Sequence, residues 1–248
     1  MQDDRPYINV DTTTEAGIQR AHQLGFQAIP QLANVVISPL ILDATGYLFT
    51  RENKAMLFAL LRHPVERAVS QFYYLQGATW GKWSFHSCPA IVAFPSLTEL
   101  IEPTYNTMWA SMTLMDYIQS DFVESDWMVR FLVGKPTGPV DEHDLNEAKS
   151  ILRDKCWIGL QNRMNESVNR FGAIFRWNQH PKWSSCVDEF QGSRKRSNSN
   201  AQKQVVKRDR EEWDILAQIN ALDMKLFAYA HQLYNEQGRM YFSIQRHG

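Results

Sequence analysis

Met56-Leu57-Phe58-Ala59-Leu60-Leu61-Arg62-His63-Pro64-Val65-Glu66-Arg67-Ala68-Val69-Ser70-Gln71-Phe72-Tyr73-Tyr74 is the run from which the fold class can be read. Its first six residues are an unbroken apolar run, the pattern of a parallel strand buried on both faces. Pro64 suits the first position of a helix, where no backbone N–H is needed. Beyond it Val65, Ala68, Val69 and Phe72 recur at i, i+3, i+4 and i+7, one amphipathic face. A buried strand thus feeds directly into a helix, the corner at which open α/β sheets hold anions. The expected fold class is α/β, a mostly parallel sheet flanked by helices.

The same corner carries candidate chemistry. Arg62 leaves the C-terminal end of the strand with a guanidinium able to grip a phosphate in bidentate fashion. Ser70 lies eight residues on, in the second turn of the helix, and adds a hydroxyl donor. The helix N-terminus contributes a partial positive charge of about half a unit. Together they make a monophosphate site. Glu66 and Arg67 read most simply as exposed helix residues, with contact to the same ligand as the alternative for Arg67, and His63 as a residue without a special role.

Outward from this corner, 248 residues fit one α/β domain, here taken as residues 1–248. A hydrophobic share of 44% and a charged share of 21% exclude disorder and fibrous classes. The net charge of −1 gives no global field for nucleic acid or an anionic membrane. Cys88, Cys156 and Cys186 form no zinc spacing, and no metal is expected. The apolar runs are far short of the ~20 residues a spanning helix needs, so no membrane segment is expected.

Tyr7–Val10 reads as a strand, followed by a helix through Ile18, Ala21 and Leu24 that ends near Gly25. Thr12 and Glu15 stand at the capping-box offset for that helix. Asn34–Ser38 reads as a second strand, stopped by Pro39. Helical faces follow at Leu114, Tyr117 and Ile118, then at Leu145, Ala148, Ile151 and Leu152 after Pro139-Val140-Asp141. Leu160, Met164, Val168, Phe171 and Phe175 form another. Residues 191–210 hold seven Lys or Arg against one Asp, a local charge of +6. No aromatic interleaves them as single-strand binding requires, so no nucleic acid is expected. Ile215, Ile219, Leu222, Leu226 and Leu233 make one long closing helix, with Gly238 as its C-cap. Asn165-Glu166-Ser167 matches a glycosylation triplet formally, but on a helix it carries no weight.

The run from Leu61 to Tyr74 resembles the 3′-phosphate motif of sulfotransferases, an Arg followed eight residues later by Ser within R-x-P-x-x-R-x-x-S. Trp127-Met128-Val129-Arg130-Phe131-Leu132, the block from Leu145 to Leu160, Glu166-Ser167, and Asn220-Ala221-Leu222-Asp223 with Leu226-Phe227-Ala228-Tyr229-Ala230 look like the carbohydrate-type branch of that family. The likeness spans roughly Val10 to Gln237. It implies a P-loop-nucleotide-hydrolase-like architecture and a cofactor, 3′-phosphoadenosine 5′-phosphosulfate (PAPS), whose 3′-phosphate is held by Arg62 and Ser70. It also implies a late basic loop over the cofactor, here Arg194, Arg196, Ser197 and Asn198 as cofactor-binding residues. The implied activity is sulfuryl transfer to a hydroxyl of a carbohydrate or similar acceptor. The catalytic base is not identified: His86 reads as a solvated loop residue, and neither Glu102 nor Tyr105 is singled out.

Two departures qualify the likeness. The family's P-K-[TS]-G-[GST]-[TS] loop, which wraps the 5′-phosphosulfate, is absent; Asp11-Thr12-Thr13-Thr14 has neither its lysine nor its glycine. The chain is therefore expected to be truncated at its N-terminus or to be a degenerate member, a non-catalytic nucleotide-binding or scaffold remnant. Relatives often sit in the Golgi lumen behind an anchor, and a truncated start would remove that signal. Residues 81–101 interrupt the family pattern between Ala78-Thr79-Trp80 and Glu102-Pro103-Thr104-Tyr105-Asn106. They read as a substrate loop or as translated intron, and their lack of period and caps favours the second.

Overall fold

Thr14 accepts a hydrogen bond from the Gly17 amide at 3.1 Å and so opens helix α1 (Glu15–Gln23). The computed structural model describes residues 9–29, 32, 33, 35–38, 40–77, 111–192 and 206–247. Their contacts fall into two units, one built on residues 1–55 and the other containing β1 and most of the chain after it. In the first unit α1 packs on α2 (Ile41–Leu48), and Ile18, Ala21, Ala44 and Leu48 are buried between them. Phe26 and Phe49 close this small core edge to face, with ring centroids 6.5 Å apart.

Two expectations change in this unit. The cap is Thr14 rather than Thr12, because the Thr13 amide and hydroxyl both turn back onto Asp11 Oδ1 and bring Thr14 to the helix start. Val35–Ser38 form no strand: Ile37 is 75% exposed, and its carbonyl accepts from Thr12 Oγ1 instead of a neighbouring strand. Of the Tyr7–Val10 run, Tyr7 and Ile8 lie outside the described residues, and Asn9 and Val10 are irregular.

The second unit is a parallel pair of strands with helices on both faces. Strand β1 (Leu57–Leu61) leads into α3 (Pro64–Gly77). Then come α4 (Leu114–Ile118), α5 (Trp127–Val133), α6 (Glu142–Lys155) and strand β2 (Cys156–Leu160). Helices α7 (Met164–Ile174), α8 (Trp183–Gly192), α9 (Glu211–Ile219) and α10 (Ala221–His247) complete it. The strands pair in register from Leu57 opposite Cys156 to Leu61 opposite Leu160. On one face Leu57, Ala59 and Leu61 join a core of α5, α6, β2 and α10, where Val129, Leu145, Leu152, Leu226 and Tyr234 are fully buried. On the other Phe58 meets Phe171 and Phe175, at centroid distances of 5.1 and 5.7 Å. Gly159 permits that approach, since a Cβ there would lie 2.7 Å from the Phe171 ring. Among the described residues no helix is long and apolar enough to cross a membrane.

Mixed α/β character is thus present, though mostly helical and with a sheet of two strands among the described residues. β1 is not buried on both faces: Phe58 and Leu60 remain 39% and 45% exposed, because side chains alternate and α7 covers their side only in part. Leu160, expected on a helix, ends strand β2, and Phe175 caps α7. The single closing helix is two. Asn220 breaks it by leaving helical geometry, its Nδ2 donating to the Leu216 carbonyl and its Oδ1 accepting the Asp126 amide. Gly238 lies inside α10 rather than capping it; a Cβ there would lie 2.4 Å from the Arg170 guanidinium. Residues 81–101 lie outside the described residues.

Asn220 belongs to a reciprocal clasp. Asp223 accepts the Met128 and Val129 amides at 2.9 and 2.8 Å, capping α5 from α10. Asp126 Oδ1 in turn accepts the Leu222 and Asp223 amides at 2.8 and 3.0 Å, capping α10 from the residue before α5. Asp126 adopts φ 48°, a left-handed conformation that aspartate tolerates better than most residues and that the paired caps hold in place. Burial pushes the Asp223 carboxyl up to about 6, against the lowering effect of its two amide donors. The folded state therefore holds this proton more tightly than the unfolded chain. Its contribution to stability is greatest below about 4 and is lost as pH rises through about 6. Asp223→Asn should flatten the stability difference between pH 8 and pH 4, a change of about 2 kcal/mol in urea unfolding.

Candidate functional site

Strand β1 delivers Arg62 at its C-terminal end, and α3 begins two residues later. The expected face of α3 is the buried one: Val65, Ala68, Val69 and Phe72 are nearly inaccessible, and Phe72 stacks on Tyr117 of α4 at 5.2 Å. With that face inward, Arg62, Glu66 and Ser70 recur at four-residue steps beside it. Arg62 Nε lies 3.7 Å from Glu66 Oε2, too far for a hydrogen bond. That Nε is buried and, among the described residues, has no hydrogen-bond partner. Ser70 is half-buried one turn beyond Glu66. An unspent guanidinium donor at a strand-to-helix corner fits an anionic ligand: the guanidinium carries the charge, and Glu66 holds it only loosely.

Arg67 is different from its expected exposed place. Its Nη1 donates to Glu124 Oε2 and to Gln71 Oε1, both at 2.9 Å, and its guanidinium lies 4.9 Å over the Trp127 ring. Both partners of this ion pair are largely buried, so Arg67 ties α3 to the segment before α5. That segment carries Asp126, and the clasp and the site corner are mechanically linked.

His63 sits between Trp213 of α9 and Phe227 of α10, at ring distances of 4.9 and 5.4 Å. Arg208 lies over the Trp213 ring, 5.6 Å from its centroid. Burial is the main influence holding the imidazole below its ordinary range; Glu66 opposes it and Arg208 adds to it. Trp213, Arg208 and Glu124 were not legible as neighbours of this corner, because they come from segments far along the chain. The one available signal was the +6 stretch that contains Arg208.

Arg194, Arg196, Ser197 and Asn198 lie outside the described residues, as do His86, Glu102, Tyr105 and Cys88. Asp141, His143 and Asp144 group closely enough to suggest a metal, but Asp141 and Asp144 form the capping box of α6. Burial pushes the Cys156 thiol up to about 11, which leaves it unreactive. Ser167 of the formal glycosylation triplet is fully buried, receiving the Leu160 amide at 2.9 Å.

The two arginines should separate in experiment. Glu124→Ala strands the Arg67 charge in a buried setting and should lower unfolding free energy by about 3 kcal/mol. Arg62→Ala removes only a loose, partly exposed pair and should stay within about 1 kcal/mol of the parent. Chemical denaturation of both variants reads the contrast.

Several curated proteins are similar to this chain over most of its length. The chain is 27% identical to heparan-sulfate 6-O-sulfotransferase 1-B of Danio rerio over 212 residues, covering 77% of this chain and 48% of that protein. It is 25% identical to the human heparan-sulfate 6-O-sulfotransferase 1 over 231 residues, covering 87% and 52%. Against heparan-sulfate 6-O-sulfotransferase 3-B of Danio rerio the identity is 26% over 197 residues, covering 74% and 43%. The chain spans about half the length of the curated relatives it matches. No family model and no solved structure matches it. With the Arg62-to-Ser70 motif at the strand-to-helix corner and these similarities over most of its length, the chain is a relative of the carbohydrate sulfotransferases.

Proposed function

We propose that this chain binds PAPS and transfers its sulfuryl group to a hydroxyl of a carbohydrate acceptor of the heparan-sulfate class. The observation that carries the reading is Arg62: a buried guanidinium Nε without a hydrogen-bond partner among the described residues, at the end of a strand that feeds a helix. Arg62 and Ser70 would hold the 3′-phosphate, and Arg194, Arg196, Ser197 and Asn198 would add contacts from the basic segment. When bound, PAPS would supply an activated sulfuryl group for an acceptor hydroxyl, with adenosine 3′,5′-bisphosphate leaving and the hydroxyl proton passing to a base or to solvent. The contribution of Arg62 is binding and orientation through charge-assisted hydrogen bonds to the remote phosphate. We also take the two units as parts of one sulfotransferase-like domain of P-loop-nucleotide-hydrolase-like architecture, supported by the strand-to-helix corner and by helices on both sheet faces.

A second reading, nucleotide binding without transfer, is favoured by one sequence observation: no lysine- and threonine-bearing phosphosulfate loop occurs in these residues. Titration calorimetry with adenosine 3′,5′-bisphosphate tests the shared half of both readings. Binding should require the 3′-phosphate, so that 5′-AMP binds far more weakly. Arg62→Ala should weaken binding roughly 10- to 100-fold, the value of a charge-assisted contact. Absence of binding by the folded chain rejects both readings. Labelled sulfate transferred from PAPS to a heparan-type glycan separates the enzyme from the binding protein.

A further inference from the structure

His63 is the neighbour of Arg62 in sequence and follows it at the same corner, yet the 3′-phosphate motif assigns it nothing. Its ring is held by Trp213 on one side and Phe227 on another, so it has little rotational freedom. Its Nδ1 is buried and, like Arg62 Nε, has no hydrogen-bond partner among the described residues. Two adjacent residues thus present two unspent nitrogens at the N-terminal end of a 14-residue helix.

The charges that face this imidazole come from several packed elements. Glu66 of α3 favours its protonation, and Arg208, before α9, opposes it. Arg62 precedes it on the chain. From α9 it meets the uncharged Trp213 ring, and from α10 the Phe227 ring, with His231 on Phe227's other contact at 5.9 Å. Burial is the largest influence holding the imidazole pKa below its ordinary range. A dianion gripped by Arg62 changes this balance: it offsets the arginine charges and adds a negative field in a poorly solvated corner, where Coulomb terms are strong.

We propose that His63 is a proton-linked partner of the phosphate site, neutral when the site is free and an imidazolium when a phosphate dianion is bound beside Arg62. The inference rests on the phosphate-site reading of Arg62. A proton passes from solvent to the imidazole in a fraction of the binding events, about half at most for a pKa rise of about one unit, and no other bond changes. Binding strengthens as pH falls relative to a protein without this ring, a linkage that Arg62 and Ser70 alone would not produce.

Calorimetric titration with adenosine 3′,5′-bisphosphate, in two buffers of contrasting ionisation heat near pH 6.5, measures the proton uptake of the full chain. Wild type should take up more protons per nucleotide than His63→Asn; the phosphate's own titration is common to both and cancels. A rise of about one unit in the imidazole pKa corresponds to as much as tenfold. The affinity ratio of wild type to variant should therefore grow by up to about tenfold between pH 8 and pH 5.5. Should the variant not fold, NMR titration of the His63 ring in wild type, with and without nucleotide, gives the same answer. Equal proton uptake in the two proteins, or an imidazole that titrates at the same pH with and without nucleotide, overturns the proposal while leaving the phosphate site standing. Absence of nucleotide binding by the folded wild type overturns both.

Discussion

Two carboxylates that cap each other's helices organise the larger unit. Helix α5 begins with orphan amides that Asp223 satisfies, and α10 begins with amides that Asp126 satisfies. The residues are 97 positions apart, and each must be ordered for the other to be useful. A buried carboxylate is costly unless its hydrogen bonds are complete. Here four backbone amides offset part of that cost, and Asn220 Oδ1 accepts a fifth, from Asp126. Removing any one member leaves buried polar groups unpaired, which explains why a polar cluster can sit beside a core containing Val129 and Leu226.

The clasp also sets where the site lies. Glu124 stands two residues before Asp126 and holds Arg67, so the position of α3 follows from that of α5. The buried face of α3 then leaves Arg62, Glu66 and Ser70 beside the contact. Helix α9, which ends at the clasp through Asn220, brings Trp213 against His63. One polar knot therefore arranges the aromatic wall and the arginine corner together. Arg67 commits its Nη1 to Gln71 and Glu124, while its Nε and Nη2, like Arg62 Nε, are buried without a hydrogen-bond partner among the described residues.

The motifs that made the sequence resemble carbohydrate sulfotransferases gain physical meaning in this arrangement. Trp127–Leu132 and Asn220–Asp223 are separate in the chain but are the two halves of the clasp. Glu166 pairs with the buried Arg170 at 2.5 Å, and Arg170 reaches the Tyr234 carbonyl at 2.6 Å, tying α7 to α10. Gly238 leaves room for that arginine. Much of the family likeness outside the Arg62-to-Ser70 run therefore describes how helices are joined.

Local pattern in the chain was enough to specify the β1–α3 corner, the inward face of α3, the α6 helix after Asp141 and the candidacy of Arg62 and Ser70. These depend on period, on Pro64 and on local capping, all of which act over a few residues. The same pattern did not reveal β2, whose five residues follow α6 without a break and carry a glycine in place of an apolar alternation. Nor did it reveal the division between α9 and α10, since Asn220 breaks an otherwise continuous apolar stripe only because a distant amide at Asp126 rewards it. The exposure of Phe58 and Leu60, the structural use of Arg67 and the enclosure of His63 by Trp213 came from tertiary packing. Each depends on contacts between segments tens of residues apart, and no local pattern encodes which of several apolar or charged partners will arrive.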